Sequence, residues 1–208
     1  MAAPYVCSRL LVSDRRRSED RAEVFERGDA LIVVIADGAG GVRGGAVASE
    51  ALVDKVRAVV HDAAVNIQDV ALWTTVFTEV DAGLAAKTAG ETTGVVVVLG
   101  LVGLVGVSAG DSEAWIVTAN AIDDLTARQM RARLGSGQAA PVGFRRAALG
   151  GVLVVGTDGL FKYALPERIA EAVRGGDVEG AGDRLGAVVR LASGGLQDDV
   201  GVVVVGGR

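Results

Sequence analysis

Six aspartates and one glutamate stand beside short apolar runs in this 208-residue chain, and their placement points to chemistry. Asp37 follows directly on the run from Ala30 to Ala36, and Asp158 on the run that begins at Val152. Asp111 sits between a run ending near Val107 and another starting near Ala114. Asp198 and Asp199 immediately precede the valines from Val200 to Val205, while Glu19 and Asp20 follow the first apolar run. If those strand ends converge, the carboxylates repel one another and need compensation. A divalent cation supplies it, and ligands that are all oxygen favour magnesium or manganese over zinc. Taken singly, each aspartate also suits a turn or a helix cap. Asp37 and Asp158 are each followed by glycine, which lets backbone approach a ligand closely.

Composition narrows the remaining choices. The formal net charge is −5 with a pI near 5.0, which argues against nucleic acid as the partner. The single histidine, His61, rules out a zinc site of several imidazoles, and it falls at the polar end of a helical pattern. Cys7 is the lone cysteine, so no internal disulfide forms and a reducing, cytoplasmic compartment is expected. The N-terminus has charges after its apolar stretch and does not read as a signal peptide. The uncharged stretch from Thr92 to Gly110 has the length of a membrane span. Its four consecutive valines and its glycines at 94, 100, 103, 106 and 110 instead predict two buried strands joined by a turn.

The elements that must position the carboxylates follow from periodicity. Strands are expected over Val6–Val12, Ala30–Ile35, Val95–Leu99, Leu101–Val107, Ala114–Val117, Val152–Gly156 and Val200–Val205. Helical spacing appears over Ala46–His61, Val65–Lys87, Leu125–Leu134, Pro166–Val173 and Asp183–Leu191. Runs of strands broken by helix pairs, without βαβ alternation, predict an α+β fold with antiparallel sheets in a single domain, 1–208. The segment from Asp37 to Gly45 opens a helix, which suits an anion at its N-terminus. It lacks a P-loop ending, and Arg43 breaks the G-x-G-x-x-G spacing.

Six segments, in order, resemble the type 2C metal-dependent serine/threonine protein phosphatases. Arg15-Arg16-Arg17-Ser18-Glu19-Asp20 is similar to the family's R-x-x-x-E-D opening, and Asp37-Gly38-Ala39-Gly40-Gly41 with Ala48-Ser49 to its D-G-x-G-G…A-S segment. Gly90-Glu91-Thr92-Thr93 resembles the G-[ST]-T signature and Gly110-Asp111-Ser112 the G-D-S turn. Thr157-Asp158-Gly159-Leu160 resembles S-D-G-L, and Asp198-Asp199-Val200-Gly201-Val202 the closing D-N-x-T-V. The resemblance implies an α-β-β-α sandwich of two antiparallel sheets flanked by helix pairs, with two Mn2+ or Mg2+ ions at one edge. It also implies roles. Asp37 bridges both ions, Asp158 and Asp198 complete one, and the Gly38 carbonyl completes the other. Asp20 and Glu19 hold water at the ions, Asp111 helps hold a weak third ion, Asp199 supports the ligands, and Arg15 grips the substrate phosphate. A water activated between the ions then attacks the phosphoryl group directly.

Several positions depart from the family pattern. Ala39 stands where some members carry a histidine, Glu113 follows the G-D-S turn in place of arginine, and Asp199 and Gly201 replace Asn and Thr. Lys162 occupies the place of an aspartate that helps hold the third ion. The implied partner is a phosphoserine or phosphothreonine protein, opposed to a bacterial-type serine/threonine kinase in signal transduction. The chain is expected to be a monomer that binds neither nucleic acid nor membrane. Two other readings share the motifs: a pseudophosphatase that binds a phosphoprotein or kinase without turnover, and a hydrolase of small phosphomonoesters.

Overall fold

The computed structural model describes residues 4–14, 18–39, 41–87 and 90–208, the side chains of residues 41–43 excepted. The N-terminal half runs β1 (Tyr5–Val12), β2 (Arg21–Arg27), β3 (Ala30–Ala36), β4 (Gly38–Ala39), α1 (Gly41–His61) and α2 (Val70–Lys87). It continues with β5 (Glu91–Thr92), β6 (Gly94–Gly100), β7 (Gly103–Ala109), β8 (Glu113–Val117), β9 (Ile122–Asp124) and β10 (Val142–Arg146). The last elements are β11 (Val152–Gly156), α3 (Asp158–Phe161), α4 (Pro166–Arg174), α5 (Ala181–Val189) and β12 (Val200–Gly207).

Two five-stranded antiparallel sheets result, in the orders β1-β12-β11-β8-β9 and β10-β7-β6-β3-β2. Their central strands are apolar on both faces because both faces are covered. In β3, Leu31, Val33 and Ile35 point between the sheets, where they meet Leu153, Val155, Val203 and Val205. Ile32 and Val34 point the other way, onto Leu52, Val56, Trp73 and Phe77 of α1 and α2. On the far side, Val154, Val202 and Val204 pack against Ile169, Val173 and Leu185 of α4 and α5. The layers are therefore α-β-β-α, the arrangement implied by the family resemblance. No helix among the described residues is long and apolar enough to cross a membrane. The stretch considered for that role is the hairpin β6–β7.

Four differences from the sequence expectation have physical causes. The helix expected over Leu125–Leu134 does not form. Asp124 turns the chain there by accepting from the Thr126 N–H and hydroxyl, at 2.8 and 2.6 Å, and an irregular segment follows. Helix α2 starts at Val70 rather than Val65, because Asp69 Oδ1 accepts the Ala71 N–H at 3.0 Å and caps it there. Helix α1 starts at Gly41, five residues ahead of Ala46, so the glycine-rich run forms its first turn. Strands β2, β9 and β10 were not expected, and all three lie at sheet edges, where charged side chains are tolerated.

Candidate metal centre

Antiparallel registers bring the carboxylate-bearing strand ends to one edge of the sandwich. Arg21 pairs with Ala36, which sets Asp20 beside Asp37. Ile35 pairs with Val95 and Gly94 with Ala109, which sets Asp37 beside Thr93 and the turn of Asp111. Glu113 pairs with Gly156 in the other sheet, which brings Asp158 to the same place. One carboxylate oxygen from each of Asp37, Asp111 and Asp158 lies within 4.8 Å of the others. Asp198, half-buried ahead of β12, is close enough to Asp158 to disfavour its ionisation.

The motif hydroxyls lock these turns together. Thr93 Oγ1 accepts the Asp37 N–H at 3.0 Å and shares a buried hydrogen bond of 2.6 Å with Ser112 Oγ. The Thr93 N–H and the Thr92 hydroxyl both donate to the Asp37 carbonyl, at 2.9 and 3.0 Å. Thr157 hydrogen-bonds Asp20 and accepts the Gly201 N–H at 3.0 Å. Ser49 Oγ donates to the Glu19 carbonyl at 2.6 Å, and the Glu19 N–H donates to Asp199 at 3.2 Å. Glu113 accepts from Trp115 Nε1 at 2.7 Å.

The glycines after the aspartates also meet a packing demand within the protein. A Cβ on Gly38 would lie 2.3 Å from the Gly45 carbonyl oxygen, and one on Gly159 would lie 1.9 Å from that of Asp199. Glycine is required at both positions because the protein's own backbone comes this close.

The electrostatics of the cluster are unfavourable as it stands. Burial, then the charge of Asp37, pushes the Asp20 carboxyl up to about 8. Burial, then the charge of Asp158, pushes Asp37 up to about 6. Asp158 is also raised, by burial and then by Asp111 and Asp198. Asp20 Oδ2 and Asp111 Oδ1 are buried with no hydrogen-bond partner among the described residues. Buried carboxylate oxygens without donors are the complement of a hard cation, and an all-oxygen donor set fits Mg2+ or Mn2+.

Among the described residues, two cations face the cluster. Lys162 Nζ lies 4.0 Å from Asp158 Oδ2 on a side chain that is 60% exposed. Arg133 Nη2 lies 3.7 Å from Asp111 Oδ2, and its charge also reaches Asp37 and Asp158. No motif marks Arg133; its place depends on the irregular segment that replaces the expected helix. Arg15 lies outside the described residues. A cavity of about 410 Å³, lined by Asp124, Arg128, Phe144 and Arg145 among others, contains none of these carboxylates.

No family model matches the chain, and no curated protein sequence does. Solved structures do. A bacterial serine phosphatase superposes with a TM-score of 0.82 at 22% identity, covering 97% of each chain. The serine/threonine phosphatase Stp1 from Staphylococcus aureus gives 0.82 at 19%, covering 99% of this chain and 95% of that one. The catalytic domain of the serine/threonine phosphatase PstP, solved with two manganese ions, gives 0.80 at 21%, covering 97% and 96%. The sandwich described above is thus the fold of the bacterial serine/threonine phosphatases.

Proposed function

We propose that this chain is a protein serine/threonine phosphatase that works with two divalent cations, Mn2+ or Mg2+. The observation that carries the reading is the convergence of Asp37, Asp111 and Asp158 within 4.8 Å, at strand ends drawn from both sheets. Asp37 with the Gly38 carbonyl, Asp158 and Asp198 would hold the two ions, and Asp20 and Glu19 would orient water beside them. Asp111 would hold a weaker third ion. When bound, the ions polarise water and the phosphoryl oxygens.

The chain's own residues do the rest. Ligand carboxylates must be ionised, so the protons retained by Asp20 and Asp37 in the ion-free protein leave on loading. Thr92 and Thr93 fix the backbone of Asp37, so its carboxylate is oriented before the ions arrive. Arg15 would grip the phosphate through a bidentate guanidinium. Water adds its oxygen to phosphorus and the ester P–O bond breaks. The departing serine or threonine oxygen takes its proton from water, since Ala39 offers none. No side chain is phosphorylated in between.

The substrate would be a phosphoserine or phosphothreonine protein, returned to its resting state against a kinase. The reading takes 1–208 as one phosphatase domain, monomeric and cytoplasmic, with no role for nucleic acid or membrane. Phosphate release from phosphoserine, phosphothreonine and phosphotyrosine peptides, with Mn2+, Mg2+ or chelator, tests it. Ion-dependent release from the first two supports the reading. Equal release from phosphotyrosine, or release that survives chelation, contradicts it.

A further inference from the structure

Arg133 belongs to none of the motifs, yet the fold holds it over the carboxylate cluster. Its neighbour Leu134 is fully buried and exchanges two 2.9 Å hydrogen bonds with Thr92, on the strand next to Asp37. Upstream, the Met130 carbonyl accepts the Gly110 N–H at 2.9 Å, and Gln129 Nε2 donates to the Ser112 carbonyl at 2.9 Å. Downstream, buried Asp81 of α2 accepts the N–H groups of Gly135, Gly137 and Ala139 at 2.7, 3.0 and 3.2 Å. Both flanks of Arg133 are therefore tied to the turns that carry Asp37 and Asp111.

Among the described residues the guanidinium makes no hydrogen bond. At 3.7 Å from Asp111 Oδ2 it is too far for a hydrogen bond, and its side chain is 34% exposed. A fork of donors held beside an anionic cluster, with donors to spare, suits a tetrahedral dianion that enters between them. Lys162 is a weaker candidate, because its single ammonium is more exposed.

We propose that Arg133 is a phosphate-binding residue of this site, gripping the phosphoryl group of the substrate and of inorganic phosphate. The inference rests on the phosphatase reading above. Arg133→Met and Arg133→Lys are compared with the parent and with Arg128→Met, a change at an exposed arginine of the same segment outside the site. Thermal denaturation confirms that each is folded. Binding of inorganic phosphate to the Mn2+-loaded proteins is measured by calorimetry, beside KM and kcat on a phosphothreonine peptide.

Arg133→Met is expected to weaken phosphate binding and raise KM by roughly 10-fold, the usual scale for losing hydrogen bonds to a charged group. Its kcat should change less, because the grip is made in ground and transition states alike. Arg133→Lys should regain part of the loss, and Arg128→Met should match the parent. Phosphate affinity and KM within twofold of the parent for Arg133→Met would overturn the proposal and leave Arg133 as a counter-charge to Asp111. A parent that neither binds phosphate nor turns over with Mn2+ fails before any variant is compared. That outcome overturns the phosphatase reading and this inference with it.

Discussion

Asp199 accepts a 3.0 Å hydrogen bond from the hydroxyl of Ser18, a residue 181 positions earlier in the chain. Its other oxygen accepts from Ser13, and the Glu19 N–H donates to the same oxygen as Ser18. The loop between β1 and β2, which carries Glu19 and Asp20 to the cluster, is thus fastened on both sides to the residue before β12. Only 4% of Asp199 is exposed, so its hydrogen bonds are largely shielded from solvent. Asp199→Ala is expected to destabilise the fold by about 3 kcal/mol, the scale for orphaning several buried donors. Asp199→Asn keeps one acceptor and should cost less than half as much. Urea unfolding of the three proteins checks the order; an alanine variant as stable as the parent would show that the bracket contributes nothing.

Stability should depend on pH in a direction set by the cluster. The folded Asp20 and Asp37 carboxyls titrate near 8 and 6, above the unfolded value of 3.8. The folded state therefore holds protons that the unfolded state has already released, and unfolding is favoured as pH rises. Stability contributed by these groups is complete below pH 4 and is lost as pH rises to about 8. In chelator, the Tm should fall across that window by several degrees. Saturating Mn2+ should raise Tm most at the high end, because the ions take the place of the protons. Scanning calorimetry from pH 5 to 8, with and without Mn2+, gives the comparison. A chelated Tm that rises with pH would contradict the assigned cause.

Gly159 makes a sharper test of packing at the site. A Cβ there would lie 1.9 Å from the Asp199 carbonyl oxygen, far inside contact distance, and both partners are backbone. Gly159→Ala must push α3 from β12 and move Asp158 relative to Asp198. The expected cost is about 2–3 kcal/mol, typical of overpacking a closed site. Mn2+ affinity should fall with it. Calorimetric titration with Mn2+ reads this, and unchanged affinity would mean that the spacing of Asp158 and Asp198 is unimportant.

The sequence exposes much of this arrangement, because central strands buried on both faces leave valine runs that few other structures explain. Asp37, Asp158 and Asp198 directly follow or precede such a run, so their place at a strand end was legible; Asp20 and Asp111 sit in the turns between elements. The register that makes 20, 37, 111 and 158 neighbours was not, since pairing is set by partners far along the chain. Edge strands were lost for the reason that makes them good edges: Arg21–Arg27 is charged along its length and buries only Ala22 fully. Leu125–Leu134 looked helical because Leu125 and Leu134 are both core residues, but Leu134 is buried by pairing with Thr92 rather than by a helix face. That misreading also hid Arg133. The roles of Asp81 and Asp199 depend on loops folding back onto them, and nothing in local spacing announces it.

The two-cation phosphatase is tested most directly by hydrolysis of a chromogenic aryl phosphate by purified protein, with Mn2+, with Mg2+ and with chelator, beside Asp37→Asn. The account predicts turnover with Mn2+ or Mg2+ that chelator abolishes, and a loss of at least about 100-fold in Asp37→Asn, as expected when a principal ligand is removed. Turnover that persists in chelator, or in Asp37→Asn at the parent's rate, would contradict it. Folded parent protein with no turnover under any metal would contradict it equally.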